Sequence, residues 1–251
     1  MQVYFIGAGP GDPELITVKG QRLLREADVI IYAGSLVNPA LLGYAKQGAA
    51  VYNSASMTLE EVIAVIRQAA EKNKMVARVH TGDPSIYGAI KEQMDELDKL
   101  KIAYEVIPGV SSFLATAAAL KCEYTLPEVS QTVIITRLEG RTPVPEKEKL
   151  SSLAGHNATM CIFLSVHMLD NVTKELIDGG YPADTPIAVV QKASWPEQKI
   201  IRGTLSDIAE KTRAGKIDRT AMIVVGRCLD GDYALSRLYA PEFGHMYRDA
   251  K

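Results

Sequence analysis

Cysteine is scarce in this chain of 251 residues. The three that occur are Cys122, Cys161 and Cys228. An odd number of widely separated cysteines argues against a disulfide framework and against a zinc knuckle. The four histidines are scattered as well, and no two of them have the spacing of a helical metal site. We therefore expect buried thiols in a reducing compartment and no metal bound by the protein.

Long hydrophobic runs and an excess of charge are also missing. The longest mostly apolar runs are about a dozen residues, too short to cross a bilayer. Lys and Arg number 28 against 30 Asp and Glu, so the formal charge is -2 and no nucleic-acid surface is indicated. The start, "MQVYFIGAGPGD", lacks the basic and apolar regions of a signal peptide. We expect a soluble, cytoplasmic protein with neither a membrane nor a nucleic-acid partner.

A third missing feature is one glycine in the opening loop, "VYFIGAGPGDPELIT". The dinucleotide-binding pattern G-x-G-x-x-G requires glycine at position 12, where this chain has Asp12. A carboxylate at that point would repel a pyrophosphate. A dinucleotide-dependent dehydrogenase remains an alternative, because Asp28 roughly meets the pattern's second requirement for an acidic residue further along.

Strands and helices alternate through the first half, which predicts a mostly parallel sheet with helices on both faces. The clearest helix is "TLEEVIAVIRQAAEKN", where Thr58 and Glu61 form a capping box. After residues 120–130 the pattern changes, and two strands joined by "SWPE" predict an antiparallel hairpin. We predict an N-terminal α/β domain at 1–122, a mixed α/β domain at 123–232 and an extension at 233–251.

Three loops of the first domain each follow a strand and precede a helix, at the edge where such sheets bind ligands. They are "GAGPGDPELIT", "TGDPSIYGAI" and "IPGVSSF". Each loop alone is ambiguous, since glycine and proline also make ordinary turns and serine caps helices.

Together, in this order and spacing, the loops resemble the tetrapyrrole (corrin/porphyrin) methylase family over about residues 2 to 230. That resemblance implies two α/β domains with a cofactor cleft between them, S-adenosylmethionine as cofactor and a homodimer. A cationic sulfonium compound also suits a loop that contains Asp12. The stretches "YAGSLVNPALL", "TRLEGRTPVPEKEKL" and "SRLYAPEFGHMYR" resemble the branch that methylates C11 of precorrin-4 or cobalt-precorrin-4 in cobalamin synthesis.

The resemblance also implies a set of site residues. Those expected to bind the cofactor are Pro10, Thr81, Gly82, Asp83, Ile86, Tyr87, Ser111, Ser112, Leu164, Ala193 and Ala221. Leu164 and Ala193 depart from the family's usual Met and Gly. The candidates for binding a tetrapyrrole substrate are Asp12, Arg137 and Arg141, of which the two arginines could pair with its carboxylates.

The implied reaction is an in-line displacement at the sulfonium methyl, for which we assign no catalytic residue. Two further alternatives remain at this point. The chain could be another methylase of the same family, such as a uroporphyrinogen-III or other precorrin methyltransferase or diphthine synthase. It could also be a ligand-binding protein without catalytic activity.

Overall fold

The computed structural model describes residues 2–34, 36–230, 233–236 and 240–249. By the contacts among its residues, the chain forms two compact units. Unit 1 comprises Met1–Ala115 and Lys192–Glu197, and unit 2 comprises Thr116–Gln191 and Gln198–Lys251. The predicted domain boundaries at 122/123 and 232/233 stay predictions.

Unit 1 is built on a parallel sheet of five strands in the order β3-β2-β4-β1-β5. The strands are β1 (Val3–Gly7), β2 (Val29–Tyr32), β3 (Ala50–Asn53), β4 (Val76–His80) and β5 (Tyr104–Ile107). β4 lies at the centre with β1 beside it, and the mostly apolar residues of both strands are almost entirely buried, as expected for a sheet covered on both faces.

The helices of unit 1 cover both faces of this sheet. They are α1 (Val18–Glu26), α2 (Leu59–Glu71), α3 (Ile90–Lys99) and α4 (Ser112–Leu120), of which α4 crosses into unit 2. One core contains Ile6, Leu24 and Ile30, and another contains Phe5, Ile66 and Leu97. The predicted capping box is present: Glu61 N donates to Thr58 Oγ1 (3.3 Å), and Thr58 N donates to Glu61 Oε2 (2.8 Å).

One predicted helix of unit 1 begins later than its sequence suggests. The stretch "SIYGAIKEQMDELDKL" reads as a helix from Ser85, but α3 begins at Ile90. Tyr87 and Ala89 adopt positive φ angles of 55° and 49°, which interrupt a right-handed helix. Residues 85–89 are therefore an irregular loop between β4 and α3.

Unit 2 contains a mixed sheet of five strands in the order β6-β7-β10-β8-β9. They are β6 (Val133–Arg137), β7 (Thr159–Phe163), β8 (Pro186–Gln191), β9 (Lys199–Thr204) and β10 (Ala221–Val225). β6 and β7 are parallel, and the other pairs are antiparallel, including the predicted β8–β9 hairpin. The fold class expected from the sequence, two α/β parts with a parallel first sheet and a mixed second sheet, is confirmed.

Helices α5 (Leu150–Ala154), α6 (Leu169–Asp178) and α7 (Ile208–Ala214) contribute to the core of unit 2 around Met160, Ile162 and Leu176. The three cysteines are free thiols of this unit. Cys161 and Cys228 are buried, whereas Cys122 is only half-buried. Burial raises the pKa of the Cys161 thiol to about 12, so this thiol is not a reactive thiolate at neutral pH.

No helix in the described ranges is both long and apolar enough to span a bilayer. Of the predicted extension at 233–251, the structure describes residues 233–236 and 240–249, and the rest lies outside the described residues.

Candidate cofactor site

The three loops singled out in the sequence meet at the carboxyl edge of the unit 1 sheet. Gly9 and Gly82 exchange two backbone hydrogen bonds, of 2.8 and 3.3 Å. A Cβ atom on Gly7 would lie 2.5 Å from the Cα of Gly109, and one on Gly109 would lie 2.1 Å from the Gly82 carbonyl oxygen. Only glycine fits at positions 7 and 109, because the backbones touch there.

Asp83 joins two of these loops through its carboxylate. Its Oδ2 accepts a hydrogen bond from Gly109 N (2.9 Å), and its Oδ1 accepts bonds from the backbone N (2.8 Å) and the hydroxyl of Ser85. Burial by itself raises the pKa of Asp83, but the bonds from Ser85 and Gly109 outweigh burial and leave the pKa below its ordinary value. The carboxylate is therefore ionised at neutral pH, and it organises the site whether or not it also contacts a ligand.

The hydroxyl groups predicted to face a cofactor occupy the same edge. Thr81 Oγ1 is buried and has no hydrogen-bond partner in the described structure. Ser111 is buried, and its carbonyl accepts bonds from Leu114 N (3.1 Å) and Ala115 N (3.3 Å), so it caps α4. A buried hydroxyl without a partner is costly, and a bound polar ligand would satisfy it. The orphaned Thr81 hydroxyl therefore fits a cofactor with polar groups at this edge.

The glycine-rich loop is held by a short segment that the sequence places far away, at the tip of the β8–β9 hairpin. Trp195 Nε1 donates to the carbonyl of Pro10 (3.0 Å), and Asp12 N donates to Ser194 Oγ (2.9 Å). A Cβ atom on Gly11 would lie 2.0 Å from the Trp195 ring. The indole therefore packs directly on the loop, and this explains Gly11, the third glycine of "GAGPGD".

Asp12 also has a local role that its sequence position did not reveal. Its Oδ1 accepts a hydrogen bond from Glu14 N (2.9 Å) and caps the short 3-10 helix Pro13–Leu15. This is the usual use of aspartate before a helix. Whether Asp12 also meets a substrate stays a prediction.

Several left-handed backbone conformations lie at or next to the predicted cofactor positions. Among the described non-glycine residues with positive φ, five follow closely on a helix end, where this conformation is a common ending. The remainder are Tyr87, Ala89, Glu128, Leu164, Lys192, Ser194 and Thr220. Tyr87 and Leu164 are themselves predicted cofactor residues, Lys192 and Ser194 flank the buried Ala193, and Thr220 precedes Ala221. Such strain costs about 1–3 kcal/mol per residue and gathers at functional sites.

The predicted site residues of unit 2 lie at strand ends. Leu164 follows β7 directly and is 57% exposed. Ala221 is the first residue of β10 and pairs with Gln191. Arg137 ends β6, and its guanidinium donates to three backbone carbonyls, those of Leu138 (3.4 Å), Thr142 (3.1 Å) and Pro143 (2.8 Å). Its predicted pairing with a substrate carboxylate competes with this local role, whereas Arg141 is exposed.

His80, beside the Thr81 loop, is buried with 4% exposure, and its Nε2 has no hydrogen-bond partner in the described structure. Burial, followed by the nearby charge of Arg78, lowers the pKa of His80 from 6.5 to about 3. The imidazole is therefore neutral at physiological pH. In the described part of the chain, no three His, Cys, Asp or Glu side chains form a group that could hold a metal ion.

Sequence reasoning missed the contribution of Trp195 and Ser194, because the contacts join residues more than 180 positions apart. The only available signal was a single tryptophan in a predicted hairpin turn, which is compatible with many roles. It also missed the use of Asp83 as a link between loops, since a "GDP" turn looks the same with or without a third partner.

The amino-acid sequence is similar to those of known proteins. The family model described as Tetrapyrrole (Corrin/Porphyrin) Methylases matches residues 2–209. The chain is 62% identical to the cobalt-precorrin-4 C(11)-methyltransferase of Methanocaldococcus jannaschii, over 98% of this chain and 96% of that protein.

Two solved structures are similar to the fold. A cobalt precorrin-4 methyltransferase described as a cobalamin biosynthetic enzyme superposes with a TM-score of 0.89 at 51% identity, covering 91% of this chain and 96% of the other. The uroporphyrin-III C-methyltransferase of Thermus thermophilus, in complex with S-adenosylhomocysteine, gives a TM-score of 0.74 at 28% identity and covers 91% of this chain and 93% of the other.

Proposed function

Because this chain belongs to the family of tetrapyrrole (corrin/porphyrin) methylases, we propose that it transfers a methyl group from S-adenosylmethionine to C11 of precorrin-4 or cobalt-precorrin-4 in cobalamin biosynthesis. The family membership confirms the resemblance seen in the three loops. The observation that carries the substrate assignment is the 62% identity, over nearly the whole chain, to a cobalt-precorrin-4 C(11)-methyltransferase.

The residues at the unit 1 sheet edge fit S-adenosylmethionine. The backbones of the three loops approach so closely that a side chain on Gly7 or Gly109 would clash, while Thr81 Oγ1 lacks a partner. The ionised Asp83 carboxylate adds negative charge at this edge, which favours a cationic sulfonium over a pyrophosphate. We assign cofactor contacts to the positions named from the resemblance, with Thr81, Ser111 and Tyr87 as the principal ones.

The cofactor, when bound, supplies a methyl group that is already activated, since its leaving group is a neutral thioether. The chain therefore needs no nucleophile of its own. Its contribution is to hold the two reactants in line, and good alignment is worth roughly 7–11 kcal/mol of the barrier. The hydrogen bonds of Asp83 and Trp195 fix the loops that provide this alignment.

The tetrapyrrole substrate carries several carboxylates, for which Arg141 is the better candidate and Arg137 the weaker one. Arg141 is exposed, whereas the Arg137 guanidinium already serves three carbonyls. An arginine recognises a carboxylate through two parallel hydrogen bonds. A homodimer, which the family resemblance implies, and a location in the cytoplasm are part of the same proposal.

Two measurements test the proposal. Incubation with S-adenosylmethionine and a precorrin pool should yield a product heavier by one methyl-for-hydrogen exchange, with the new methyl assigned to C11. A methyl on any other carbon would contradict the substrate assignment.

The cofactor site is tested with Asp83→Asn, which keeps the shape but turns one hydrogen-bond acceptor into a donor. The affinity for S-adenosylhomocysteine, measured by calorimetry, should fall about tenfold or more, since a charge-assisted link between loops is lost. Asp218→Asn, an exposed carboxylate paired with Arg219 on the surface of unit 2, is the control and should bind normally. Unchanged affinity in a folded Asp83→Asn protein would count against the placement of the site.

A further inference from the structure

Arg78 is a charged residue in the middle of the central strand β4, with only 6% exposure. Its Nε donates to Gln93 Oε1 (2.9 Å), and its Nη1 donates to the carbonyl of Ile31 (3.3 Å). No carboxylate forms an ion pair with it among the described residues. Burying such a charge costs stability, so the arginine calls for an explanation beyond packing.

Gln93 lies in the first turns of α3, is 5% exposed, and links Arg78 to the loop that precedes the helix. Its Oε1 accepts from Arg78, and its Nε2 donates to the carbonyl of Ala89 (3.0 Å). A side-chain amide on its own can face either way, because its two ends are nearly the same shape. An arginine only donates, so it fixes the amide oxygen toward itself and the amide NH2 toward Ala89.

The carbonyl held in this way belongs to a strained loop. Ala89 has φ 49° and ψ 38°, and it starts α3 without a side-chain cap. Tyr87, two residues earlier, has φ 55°. Gly88 between them is so close to the preceding turn that a Cβ atom would lie 2.1 Å from the Pro84 carbonyl oxygen. This conformation is unfavourable for Tyr and Ala, and therefore requires hydrogen bonds from outside the loop.

We propose that Gln93, oriented by Arg78, is a positioning residue for the reaction. By holding the Ala89 carbonyl, it keeps Tyr87 and Ala89 in their left-handed conformations and so presents Tyr87 and Ile86 to the cofactor. The inference rests on the proposed function, because it concerns the loop to which that function assigns cofactor contacts.

Gln93→Glu separates positioning from stability. The new carboxylate still accepts a hydrogen bond from Arg78 and gives the buried guanidinium an ionic partner, so unit 1 should unfold at the same denaturant concentration or a higher one. The same carboxylate has no donor for the Ala89 carbonyl and repels it. The affinity for S-adenosylhomocysteine should then fall about tenfold, as expected for one lost hydrogen bond in the site. Amide hydrogen exchange should accelerate in residues 85–90 alone.

The matched control is Gln68→Glu, which makes the same charge change at an exposed position of α2 and should alter neither affinity nor exchange. If the wild-type protein binds S-adenosylhomocysteine and the Gln93→Glu protein binds it equally well, the inference about Gln93 is wrong and the proposed function still stands. Wild-type protein that does not bind would overturn the proposed function and this inference with it. If Gln93→Glu does not fold, Gln93→Met brings no charge into the core; it removes the acceptor of Arg78 as well, so it is judged by the affinity for S-adenosylhomocysteine and by the amide exchange of residues 85–90 and not by stability.

Discussion

The buried histidine of β4 makes a quantitative prediction about stability at acidic pH. His80 is 4% exposed, its Nε2 has no partner in the described structure, and its pKa in the folded protein is about 3. In the unfolded chain the pKa returns to its ordinary value of 6.5. Between these two values the unfolded state binds one more proton than the folded state.

The direction in which stability changes with pH follows from this difference in bound protons. Because the unfolded state binds the extra proton, the free energy of unfolding falls as the pH drops below 6.5. The slope approaches about 1.4 kcal/mol per pH unit, and integration from pH 6.5 to pH 4.5 gives a loss of about 2 kcal/mol from His80 alone. The loss levels off near pH 3, where the folded protein also takes up the proton.

Denaturant unfolding of wild-type protein and His80→Leu at several pH values measures this contribution of His80 to the free energy of unfolding. Trp195 is the one tryptophan in the chain and belongs to unit 1, as His80 does, so its fluorescence follows the relevant unit. Other titrating groups are common to both proteins and cancel in the difference between the two curves. The difference in the free energy of unfolding between the two proteins should shift by about 2 kcal/mol in favour of His80→Leu as the pH falls from 6.5 to 4.5. Parallel curves would refute the reasoning, and Gln68→Leu, which replaces a neutral side chain at an exposed position of unit 1, is the control that should run parallel to wild type.

Two further predictions concern the loops of the site. Gly11→Ala places a methyl group 2.0 Å from the Trp195 ring, so it should destabilise unit 1 by about 1–3 kcal/mol and shift the Trp195 emission to the red. In a Trp195→Leu background the same change should cost clearly less, and an equal cost in both backgrounds would contradict the contact. Leu164→Gly and Glu128→Gly both relieve a positive φ, of 56° and 62°, and each should raise stability by up to about 1 kcal/mol. Only Leu164→Gly should weaken the binding of S-adenosylhomocysteine in calorimetry, and normal binding by that variant would remove Leu164 from the site.

The sequence predicted those parts of the fold that depend on local patterns. The capping box of Thr58 and Glu61, the parallel first sheet and the β8–β9 hairpin all follow from periodicity, cap residues and turn residues. The prediction was wrong at the start of α3 because nothing in "SIYGA" distinguishes a helical turn from a left-handed one. There the conformation is supported by Gln93, whose partner Arg78 lies fifteen positions earlier.

The loops of the site could be identified from their glycines, their prolines and their order along the chain. The hydrogen bonds that hold the loops together could not. Asp83 bonds to Gly109 across 26 positions, and Trp195 bonds to Pro10 across 185. Such pairings are decided by tertiary packing, on which a local pattern carries no information. A charged residue in the apolar stretch "MVARVH" was the one available sign of the hydrogen bonds that link Arg78, Gln93 and Ala89.

The composition of unit 1 from two separate pieces of chain has a consequence for how the protein is made. Residues 192–197 complete a unit whose other residues all lie before position 116. A ribosome synthesises the N-terminal part first, and domains generally fold as they emerge. This unit, however, waits for nearly eighty further residues before the indole can close over Gly11 and Pro10. The nascent glycine-rich loop therefore acquires its final support only when translation has passed Trp195, and a fragment that stops at residue 115 never does.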